Sequence, residues 1–368
     1  MKLRYRIAFG LLGFVALSVA WAAWYVSHDG ECLPPATVND GELSMQAVQY
    51  RCYGGPEVLE TVELARPEPG EKEILVRIEA AAVNPLDWHY MRGTPYVMRL
   101  MGAGIGAPAD PRLGVDYSGV VEAVGEGVQQ FRPGDRVFGG QTGAYAQYNV
   151  VAEDSAVVGI PQNISFEQSA AVPIAGVTAL QALRDVGKLK PGQKVLVNGA
   201  SGGVGTFAVQ IAKAMGAEVH GVCSTRNVER VLSLGADRVF DYKKESYLDS
   251  AEQYDLIIDN VGNHSLLANR EVMTANATLV IVGGPDGKWL GPLMRPIGAM
   301  IISPFVDQTF RMFIAKMKKD DLAELAALMA EGKVRAVIDR HFSLADVPEA
   351  IRYSETGRAR GKIIIDVD

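Results

Sequence analysis

Closely spaced glycines make the run 199–205 the segment best suited to bind a charged ligand. They follow the spacing G-x-x-G-x-x-G, between an apolar run that predicts a buried strand, Lys194–Asn198, and a run that predicts a helix, 206–215. Glycines let a pyrophosphate approach the backbone, and a helix N-terminus offers unpaired N–H groups with a partial positive charge. A second predicted strand, Glu218–Cys223, follows at the distance of a βαβ unit. The pattern predicts a dinucleotide site; the simpler interpretation is a glycine-rich turn without a ligand.

The end of the second predicted strand indicates which dinucleotide binds. Enzymes that prefer NAD usually carry Asp or Glu about 20 residues after the glycines, where the acid binds the ribose 2′-hydroxyl. This strand is followed instead by Ser224, Thr225 and Arg226. Hydroxyls and a planar guanidinium can hold a 2′-phosphate, so NADPH is the predicted cofactor. The alternative is that Ser224 caps the next helix and Arg226 is solvated.

The composition is that of a globular protein with an acidic balance. The chain has 368 residues, of which 48% are hydrophobic and 21% charged, and its formal net charge is −7. This length is enough for two domains, and the charge argues against nucleic-acid binding. Because Cys32, Cys52 and Cys223 form no C-x-x-C pair, we expect neither a disulfide framework nor a structural metal site.

Residues 1–30 have the pattern of a membrane anchor or a signal segment. Basic residues precede an uncharged run at 7–26, which as a helix would be about 30 Å long and match the hydrocarbon thickness of a bilayer. Trp21, Trp24 and Tyr25 near its far end suit a membrane interface. We expect an uncleaved single-pass anchor, with a signal peptide cleaved near residues 20–22 as the alternative.

The side of the membrane that the catalytic part would face stays open. The charge asymmetry around the run predicts a cytoplasmic N-terminus and a catalytic part outside, where NADPH is scarce. The need for NADPH favours the cytoplasmic side instead. A wrongly assigned gene start would remove the conflict.

Two patterns divide the rest of the chain. From 45 to about 158, short apolar runs alternate with Gly, Pro and Asp turns, which predicts a β-rich domain. From 165 to about 284, helices and strands alternate, which predicts a parallel, doubly wound sheet. Its predicted strands are Lys194–Asn198, Glu218–Cys223, 238–240, 256–260 and 278–282.

The C-terminal part is expected to return to the first domain. A helix at 320–331, a strand at 335–338, a capped helix near Ser343 and a last strand at 361–367 are predicted. The apolar segment 285–304 carries Arg295 and several prolines, so we interpret it as a pocket wall or subunit contact rather than a second membrane span.

From residue 45 to the C-terminus, the chain resembles the zinc-independent medium-chain dehydrogenases/reductases of the quinone oxidoreductase type. The motifs that carry the resemblance are A-A-V-N-P-L-D-W at 81–88, G-V-D-Y-S-G-V-V at 114–121, V-G-E-G-V at 124–128, F-R-P-G-D-R-V at 131–137, G-V-T-A-L at 176–180, the glycine run, L-G-A-D at 234–237 and G-K-I-I at 361–364. The resemblance implies an α/β protein: a discontinuous GroES-like catalytic domain at 45–165 and 306–368, a Rossmann NADP-binding domain at 166–305, and an active site in the cleft between them.

The departures from the zinc-dependent alcohol dehydrogenases concern the metal ligands. Those enzymes carry Cys or His near Asn84-Pro85, at 114–116 and at 173–176, where this chain has none, and the four-cysteine loop expected after Gly140 is absent. A Lewis-acid zinc cannot be assembled from these positions. Hydride transfer to the electron-poor carbon of a quinone or an α,β-unsaturated carbonyl is therefore favoured over direct alcohol oxidation.

The resemblance also assigns roles to individual residues. It places three cofactor groups: the pyrophosphate at Gly199, Ser201, Gly202, Gly203, Val204 and Gly205; the 2′-phosphate at Ser224, Arg226 and Tyr242; and the nicotinamide near Thr178, Asn260, Val261, Gly283 and Gly284.

Asn84 and His89 are the catalytic candidates of the first domain, together with Thr178 on the helix side. We expect Asn84 to bind the nicotinamide amide or the substrate oxygen, and His89 to donate a proton or hydrogen bond to a developing enolate. The alternatives are a turn residue before Pro85, a solvated loop histidine and a helix-interior hydroxyl bonded to its own backbone.

These expectations give one preferred function and two alternatives. The preferred one is an NADPH-dependent reductase of a small molecule, for example a lipid-soluble quinone that would reach a membrane-anchored enzyme from the bilayer. The alternatives are a non-catalytic NADPH-binding protein and a zinc-free alcohol dehydrogenase. A homodimer formed through the edge of the Rossmann sheet is usual in the family. Substrate identity is not encoded in any readable motif.

Overall fold

The computed structural model describes residues 2–39, 41–284, 287–289 and 291–367. The strands in this part of the chain are β1 Ser44–Tyr50, β2 Leu59–Ala65, β3 Glu73–Val83, β4 Asp116–Val124, β5 Arg136–Gly140, β6 Tyr148–Ala152, β7 Val157–Gly159, β8 Lys194–Asn198, β9 Glu218–Cys223, β10 Arg238–Asp241, β11 Tyr254–Asp259, β12 Met273–Ile281, β13 Thr309–Met312, β14 Ile338–Ser343 and β15 Lys362–Asp366. The α-helices are α1 Lys2–Ser27, α2 Pro85–Arg92, α3 Phe166–Ala170, α4 Pro173–Gln181, α5 Gly203–Ala214, α6 Val228–Ser233, α7 Leu266–Arg270, α8 Gly291–Ile302, α9 Lys319–Ala330 and α10 Val347–Glu355.

The β-rich domain is built around β3, whose residues are mostly apolar and buried on both faces near its end. Its seven-stranded sheet has the order β14-β15-β3-β4-β5-β7, and β6 also pairs with β3. The core between this sheet and β1 contains the fully buried rings of Tyr50, Tyr117 and Tyr145. The predicted GroES-like, β-rich organisation is confirmed, including the return of the C-terminal strand, which pairs with β3.

The second domain is a parallel sheet with helices on both faces. Its strand order is β10-β9-β8-β11-β12-β13, and the central strands are almost completely buried. The predicted doubly wound architecture is therefore confirmed, and two of its strands have the predicted bounds, Lys194–Asn198 and Glu218–Cys223. A sixth strand, β13, pairs in parallel with β12. The chain thus returns to the catalytic domain only after Met312, later than the expected position 306.

The prediction of a strand at 335–338 is wrong. Glutamine side chains, rather than a neighbouring strand, satisfy the backbone there: the Gln210 amide bonds both N–H and C=O of Arg335, and the Gln168 amide bonds those of Ala336. β14 begins only at Ile338, beside β15.

The N-terminal segment corrects the predicted membrane anchor. α1 covers Lys2–Ser27, and from residue 13 onward most of its side chains are exposed. None of the helices in the described residues is long and apolar enough to cross a membrane, so the expectation of a single-pass membrane protein with a membrane-spanning N-terminal helix is wrong. Met1 and the side chains of residues 2–12 lie outside this description.

A disulfide joins the segment after α1 to the catalytic domain, where none was expected. It links Cys32 to Cys52, across 20 residues of sequence. Spacing alone could not reveal the pair, because the hydrogen bond from Leu33 N to Arg51 O is what brings the two cysteines side by side.

Candidate active site

The glycine turn joins β8 to α5 at the carboxyl edge of the parallel sheet. Gly199 has a φ of +80°, which favours glycine, and a Cβ on Gly205 would lie 2.1 Å from the carbonyl oxygen of Gly199. These two glycines therefore shape the turn itself. Ser201, Gly202, Gly203 and Val204 are half-buried and border open space.

Gly202 is glycine for a different reason. Its φ is −83°, which any residue adopts, and a Cβ there would meet only the Gly199 oxygen, at 3.6 Å. The free space lies at the N-terminus of α5, where backbone N–H groups have no helical acceptor. The cradle therefore fits a pyrophosphate, and a side chain at Gly202 would enter the volume that this group needs.

Asn227 links the turn to the end of β9. Its side-chain Nδ2 donates to the Ser201 Oγ at 3.0 Å and to the Ser224 Oγ at 3.2 Å, while its buried Oδ1 has no hydrogen-bond partner among the described atoms. The structure thus brings Ser201 and Ser224 close together through Asn227, while their cofactor contacts stay predictions. It adds Asn227, which the sequence reasoning missed although it directly follows Arg226.

Arginines surround this end of the cleft. Arg226 is exposed and reaches the Arg358 carbonyl at 3.4 Å, and Arg230 donates to the Arg360 carbonyl at 2.8 Å. Tyr242, 60% exposed, follows β10 and is hydrogen-bonded through its N–H to the Cys223 carbonyl. Backbone carbonyls of the C-terminal segment before β15 therefore hold the guanidinium groups of Arg226 and Arg230 near the predicted 2′-phosphate site.

The residues predicted to face the nicotinamide lie at adjacent strand ends. Asn260 follows β11, and its Nδ2 donates to the Asn198 carbonyl at 2.9 Å while its buried Oδ1 has no hydrogen-bond partner within the described part of the chain. A Cβ on Gly283 would lie 2.1 Å from the Asn260 carbonyl, so the 260–262 and 283–284 segments pack directly together. Val261 is 44% exposed beside them.

Asn84 occupies the centre of a buried polar network. Its Nδ2 donates to Asp116 Oδ2 at 2.9 Å and its Oδ1 accepts from Lys362 Nζ at 2.5 Å, while its own N–H donates to Asp87 Oδ2 at 2.7 Å. Lys362 Nζ also lies 3.1 Å from Asp116 Oδ2. Only 2% of Asn84 is exposed and its side chain is engaged by Asp116 and Lys362, so its contact with the nicotinamide or the substrate stays a prediction.

The network connects the two domains. Asp116 Oδ1 accepts from Ile174 N at 2.9 Å, in the first turn of α4, the helix that carries the half-buried Thr178. The Lys362 side chain reaches 3.4 Å from the position of a Cβ on Gly203. The sequence reasoning missed Lys362; a single charged residue at the head of an otherwise apolar final strand was the available signal.

Burial controls the acids of this network. It raises the pKa of Asp87 to about 7, against the hydrogen bonds from Asn84 and the Tyr145 hydroxyl, and it also raises the pKa of Asp116 against the effect of Lys362. The pKa of Tyr145 is raised well above its ordinary value by burial and by the neighbouring Asp87. Asp87, Asp116 and Tyr145 are each at most 1% exposed.

His89 lies beside the loop that forms one wall of the cleft. Its Nδ1 is 2.8 Å from the Thr94 carbonyl, so Nδ1 carries the proton in that contact and Nε2 is the acceptor of the neutral ring. Its ring packs on Trp88, with centroids 3.8 Å apart. His89 is half-buried, and its proton-donor role stays a prediction.

The opposite wall comes from the nucleotide-binding domain. Tyr96 N donates to the Lys288 carbonyl at 2.8 Å, and the Tyr96 and Trp289 rings meet edge-on with centroids 4.7 Å apart. The segment interpreted as a pocket wall, 285–304, thus contacts the loop after α2; Pro285, Asp286 and Leu290 lie outside the described residues.

The three segments that carry zinc ligands in the alcohol dehydrogenases converge here around an ammonium group. Asn84, Asp116 and Ile174 are joined by hydrogen bonds, and Lys362 supplies the positive charge. In the described part of the chain, the side chains grouped as metal ligands are those of Glu218 and His220 at the start of β9 and of Glu252 before β11, where Lys194 already pairs with both glutamates.

Comparisons with known proteins agree with this architecture. Residues 70–162 match the alcohol dehydrogenase GroES-like domain, and residues 234–365 match a domain described as zinc-binding dehydrogenase. The chain is 34% identical over 341 residues to a chloroplast envelope quinone oxidoreductase homolog of Arabidopsis thaliana, covering 88% of this chain and 98% of that protein. It is 35% identical over 331 residues to a trans-enoyl reductase of Aspergillus terreus, covering 81% and 87%.

A solved structure shares the whole arrangement of domains. The Escherichia coli quinone oxidoreductase complexed with NADPH has a TM-score of 0.73 and 26% identity, covering 87% of this chain and 99% of that one. The chain therefore belongs to the quinone oxidoreductase-like medium-chain dehydrogenases/reductases and is an oxidoreductase that uses a nicotinamide dinucleotide, NADH or NADPH.

Proposed function

We propose that this enzyme transfers hydride from NADPH to the electron-poor carbon of a quinone or an α,β-unsaturated carbonyl, without a catalytic metal ion. One observation carries the proposal. The glycine turn lies beside the buried Asn84–Asp116 network, and in that network the Lys362 ammonium group lies among the segments that carry the metal ligands in the zinc-dependent enzymes. The names of relatives, quinone oxidoreductase and trans-enoyl reductase, support these two acceptor classes.

The chain's own residues bind the cofactor, orient it and protonate the reduced acceptor. A bound nicotinamide supplies the hydride. The turn at Ser201–Gly205 and the N-terminus of α5 hold the pyrophosphate, and the Asn260–Val261 and Gly283–Gly284 strand ends border the nicotinamide. The Asn84 network fixes α2 against α4, which keeps Thr178 in place. The Thr94 carbonyl orients His89 through Nδ1–H, and the doubly protonated imidazolium form of the ring transfers its Nε2 proton to the reduced acceptor, which leaves the neutral ring.

Preference for NADPH over NADH rests on Arg226 and its neighbours. No acid follows β9; hydroxyls and the exposed Arg226 are found there, with Arg358 adjacent. A guanidinium can bind a 2′-phosphate through charged, paired hydrogen bonds, whereas a 2′-hydroxyl gains little from it.

The test uses the purified full chain with NADPH or NADH and a panel of quinones, enals and enones, read as dinucleotide oxidation. We expect turnover with NADPH that withstands a chelator. Tight NADPH binding without turnover of any acceptor would instead favour a non-catalytic protein, and NADP reduction by alcohols would favour an alcohol dehydrogenase.

The cofactor preference has its own variant. Arg226→Ala should raise the Kd for NADPH roughly 10- to 100-fold, because a charged hydrogen bond to the 2′-phosphate is lost. It should change the Kd for NADH less than about threefold. Arg132→Ala, whose side chain is 87% exposed, is the matched control and should change neither. Equal losses for both dinucleotides would contradict the preference.

A further inference from the structure

Arg295 of α8 forms a buried ion pair beneath the turn that borders the nicotinamide. Its guanidinium donates to Asp259 Oδ2 at 2.5 Å and to the His264 carbonyl at 2.8 Å. The Arg295 side chain is 10% exposed and that of Asp259 is 1% exposed. A charge this deeply buried strongly destabilises the protein when its partner is removed, so the pair is a fixed feature of the fold.

The other oxygen of Asp259 shapes the turn directly. Asp259 Oδ1 accepts from Gly262 N at 2.9 Å, from Val261 N at 3.2 Å and from Asn198 Nδ2 at 2.8 Å. One carboxylate therefore holds the backbone after β11 and ties it to the end of β8, immediately before the glycine turn. Its position depends on what holds Oδ2, which is Arg295.

Arg295 also limits the space around the turn. Gly262 has a φ of +73°, and a Cβ there would lie 2.9 Å from the Gly284 Cα and 3.2 Å from the Arg295 Nη1. The guanidinium thus packs against the two strand ends at 260–262 and 283–284. It reaches them from α8, whose segment also contacts Tyr96 of the catalytic domain.

We propose that Arg295 is a positioning residue that sets the orientation of the nicotinamide by holding the Asp259 carboxylate against the 260–262 turn. The proposal rests on the proposed function. It gives the segment 285–304 a second role besides forming a wall, because movement of α8 would change the turn through the Arg295–Asp259 ion pair.

The test separates the two halves of the cofactor in the full chain. Binding of 2′,5′-ADP reports the adenosine half alone, whereas NADPH binding and its nicotinamide fluorescence report both halves. For Arg295→Met we expect a Kd for 2′,5′-ADP within about twofold of wild type. The Kd for NADPH should rise roughly tenfold, and the fluorescence change on binding should fall by about half. In turnover assays of Arg295→Met, kcat should fall by a larger factor than KM changes. Arg295→Lys should recover part of the lost kcat.

Two further variants complete the experiment. Arg311→Met, an exposed arginine on β13, is the matched control and should behave as wild type. If Arg295→Met does not fold, Asp259→Asn combined with Arg295→Met leaves no unpaired buried charge and should show the same loss, because the turn has lost its carboxylate.

A folded variant with unchanged NADPH affinity relative to 2′,5′-ADP and unchanged fluorescence would overturn the positioning role. A wild-type enzyme that binds NADPH without reducing any acceptor would overturn the proposed function, while these binding measurements would still decide the role of Arg295.

Discussion

Two carboxyl groups and one ammonium group share the buried space around Asn84, and their protonation is linked to folding. Asp87 is fully enclosed and receives hydrogen bonds from Asn84 N and from the Tyr145 hydroxyl at 2.8 Å, but no cation of the described residues forms an ion pair with it. Asp116 has Lys362 as a direct partner. Asp87 is therefore the acid that burial leaves protonated over the wider pH range.

This difference predicts a pH dependence of stability. Burial raises the pKa of Asp87 from an ordinary 3.8 to about 7, so the folded state holds a proton that the unfolded state releases. Its stabilising contribution is complete below about pH 4 and is lost as pH rises to about 7. Asp87→Asn keeps an oxygen acceptor and cannot ionise, so it should remove this decline, which amounts to at most roughly 4 kcal/mol.

Urea unfolding between pH 4 and pH 8 measures this effect. The difference in free energy of unfolding between Asp87→Asn and wild type should move in favour of the variant as pH rises, and then level off above pH 7. Asp249→Asn, at an exposed site, should show no such change. Parallel pH curves for wild type and Asp87→Asn would contradict the assignment.

Individual site residues were predictable where they depend on local sequence. The glycine turn and Ser224 follow from motif spacing, and the structure connects them through Asn227. Lys362 and Arg295 act on residues 278 and 36 positions away, Asn84 and Asp259. No local pattern encodes such pairs, because each depends on how separate strands and helices pack.

Within the glycine turn, substitution by Ala should have different effects at Gly202 and at Gly205. Gly202→Ala places its Cβ in the space before α5, at an ordinary contact distance of 3.6 Å from the Gly199 oxygen, so the free energy of unfolding should change by less than about 1 kcal/mol. If the pyrophosphate occupies that space, the Kd for NADPH should rise at least roughly tenfold. Gly205→Ala drives its Cβ toward the Gly199 oxygen and should destabilise the protein by several kcal/mol.

Thermal unfolding and NADPH titration of the two variants distinguish a side chain that clashes with the bound pyrophosphate from one that clashes with the protein backbone. Gly202→Ala should lose affinity without losing stability, whereas Gly205→Ala should lose stability first. A Gly202→Ala protein with wild-type NADPH affinity would place the pyrophosphate elsewhere.

Strands were predictable where burial made them continuous apolar runs. β8 and β9 lie in the middle of the parallel sheet, and both were identified with the correct bounds. β13 is an edge strand of four residues in which Met312 is 45% exposed, so it lacks that signal. At Arg335 and Ala336 the sequence has the pattern of a strand, but glutamine side chains bond this backbone in place of a neighbouring strand.

At the scale of the whole molecule, the segment after α1 is attached to the catalytic domain at two separate points. Arg99 is nearly buried and donates to the carbonyls of Val26 and His28 at 3.2 Å and to Asp29 at 2.7 Å, while its Nε donates to Gly93. The second attachment is the Cys32–Cys52 disulfide. Arg99 begins the π-helical turn Arg99–Ala103 in the loop at 93–115 that follows α2, here called the cleft-wall loop, so the N-terminal segment braces that loop.

The two attachments should protect different amides. Gly30 N donates to the Gly106 carbonyl at 2.7 Å, near the Arg99 contacts, and Leu33 N donates to the Arg51 carbonyl at 2.9 Å, beside the disulfide. In hydrogen exchange, Arg99→Met should expose the Gly30 amide and leave that of Leu33 protected. Replacing both Cys32 and Cys52 with Ser should expose Leu33 and leave Gly30 protected, because each contact orders only its own neighbourhood.

Stability should follow the same division. Arg99→Met removes charged hydrogen bonds to backbone carbonyls and should lower the free energy of unfolding by roughly 2 to 4 kcal/mol, while Asp29, 61% exposed, remains solvated. Loss of the disulfide should lower it by about 3 kcal/mol, as expected for closing a loop of this length. Arg112→Met, on an exposed arginine that pairs only with Asp110, is the control. Loss of protection at both amides from either change alone would mean that the segment detaches as one unit and that the cleft-wall loop loses its brace with it.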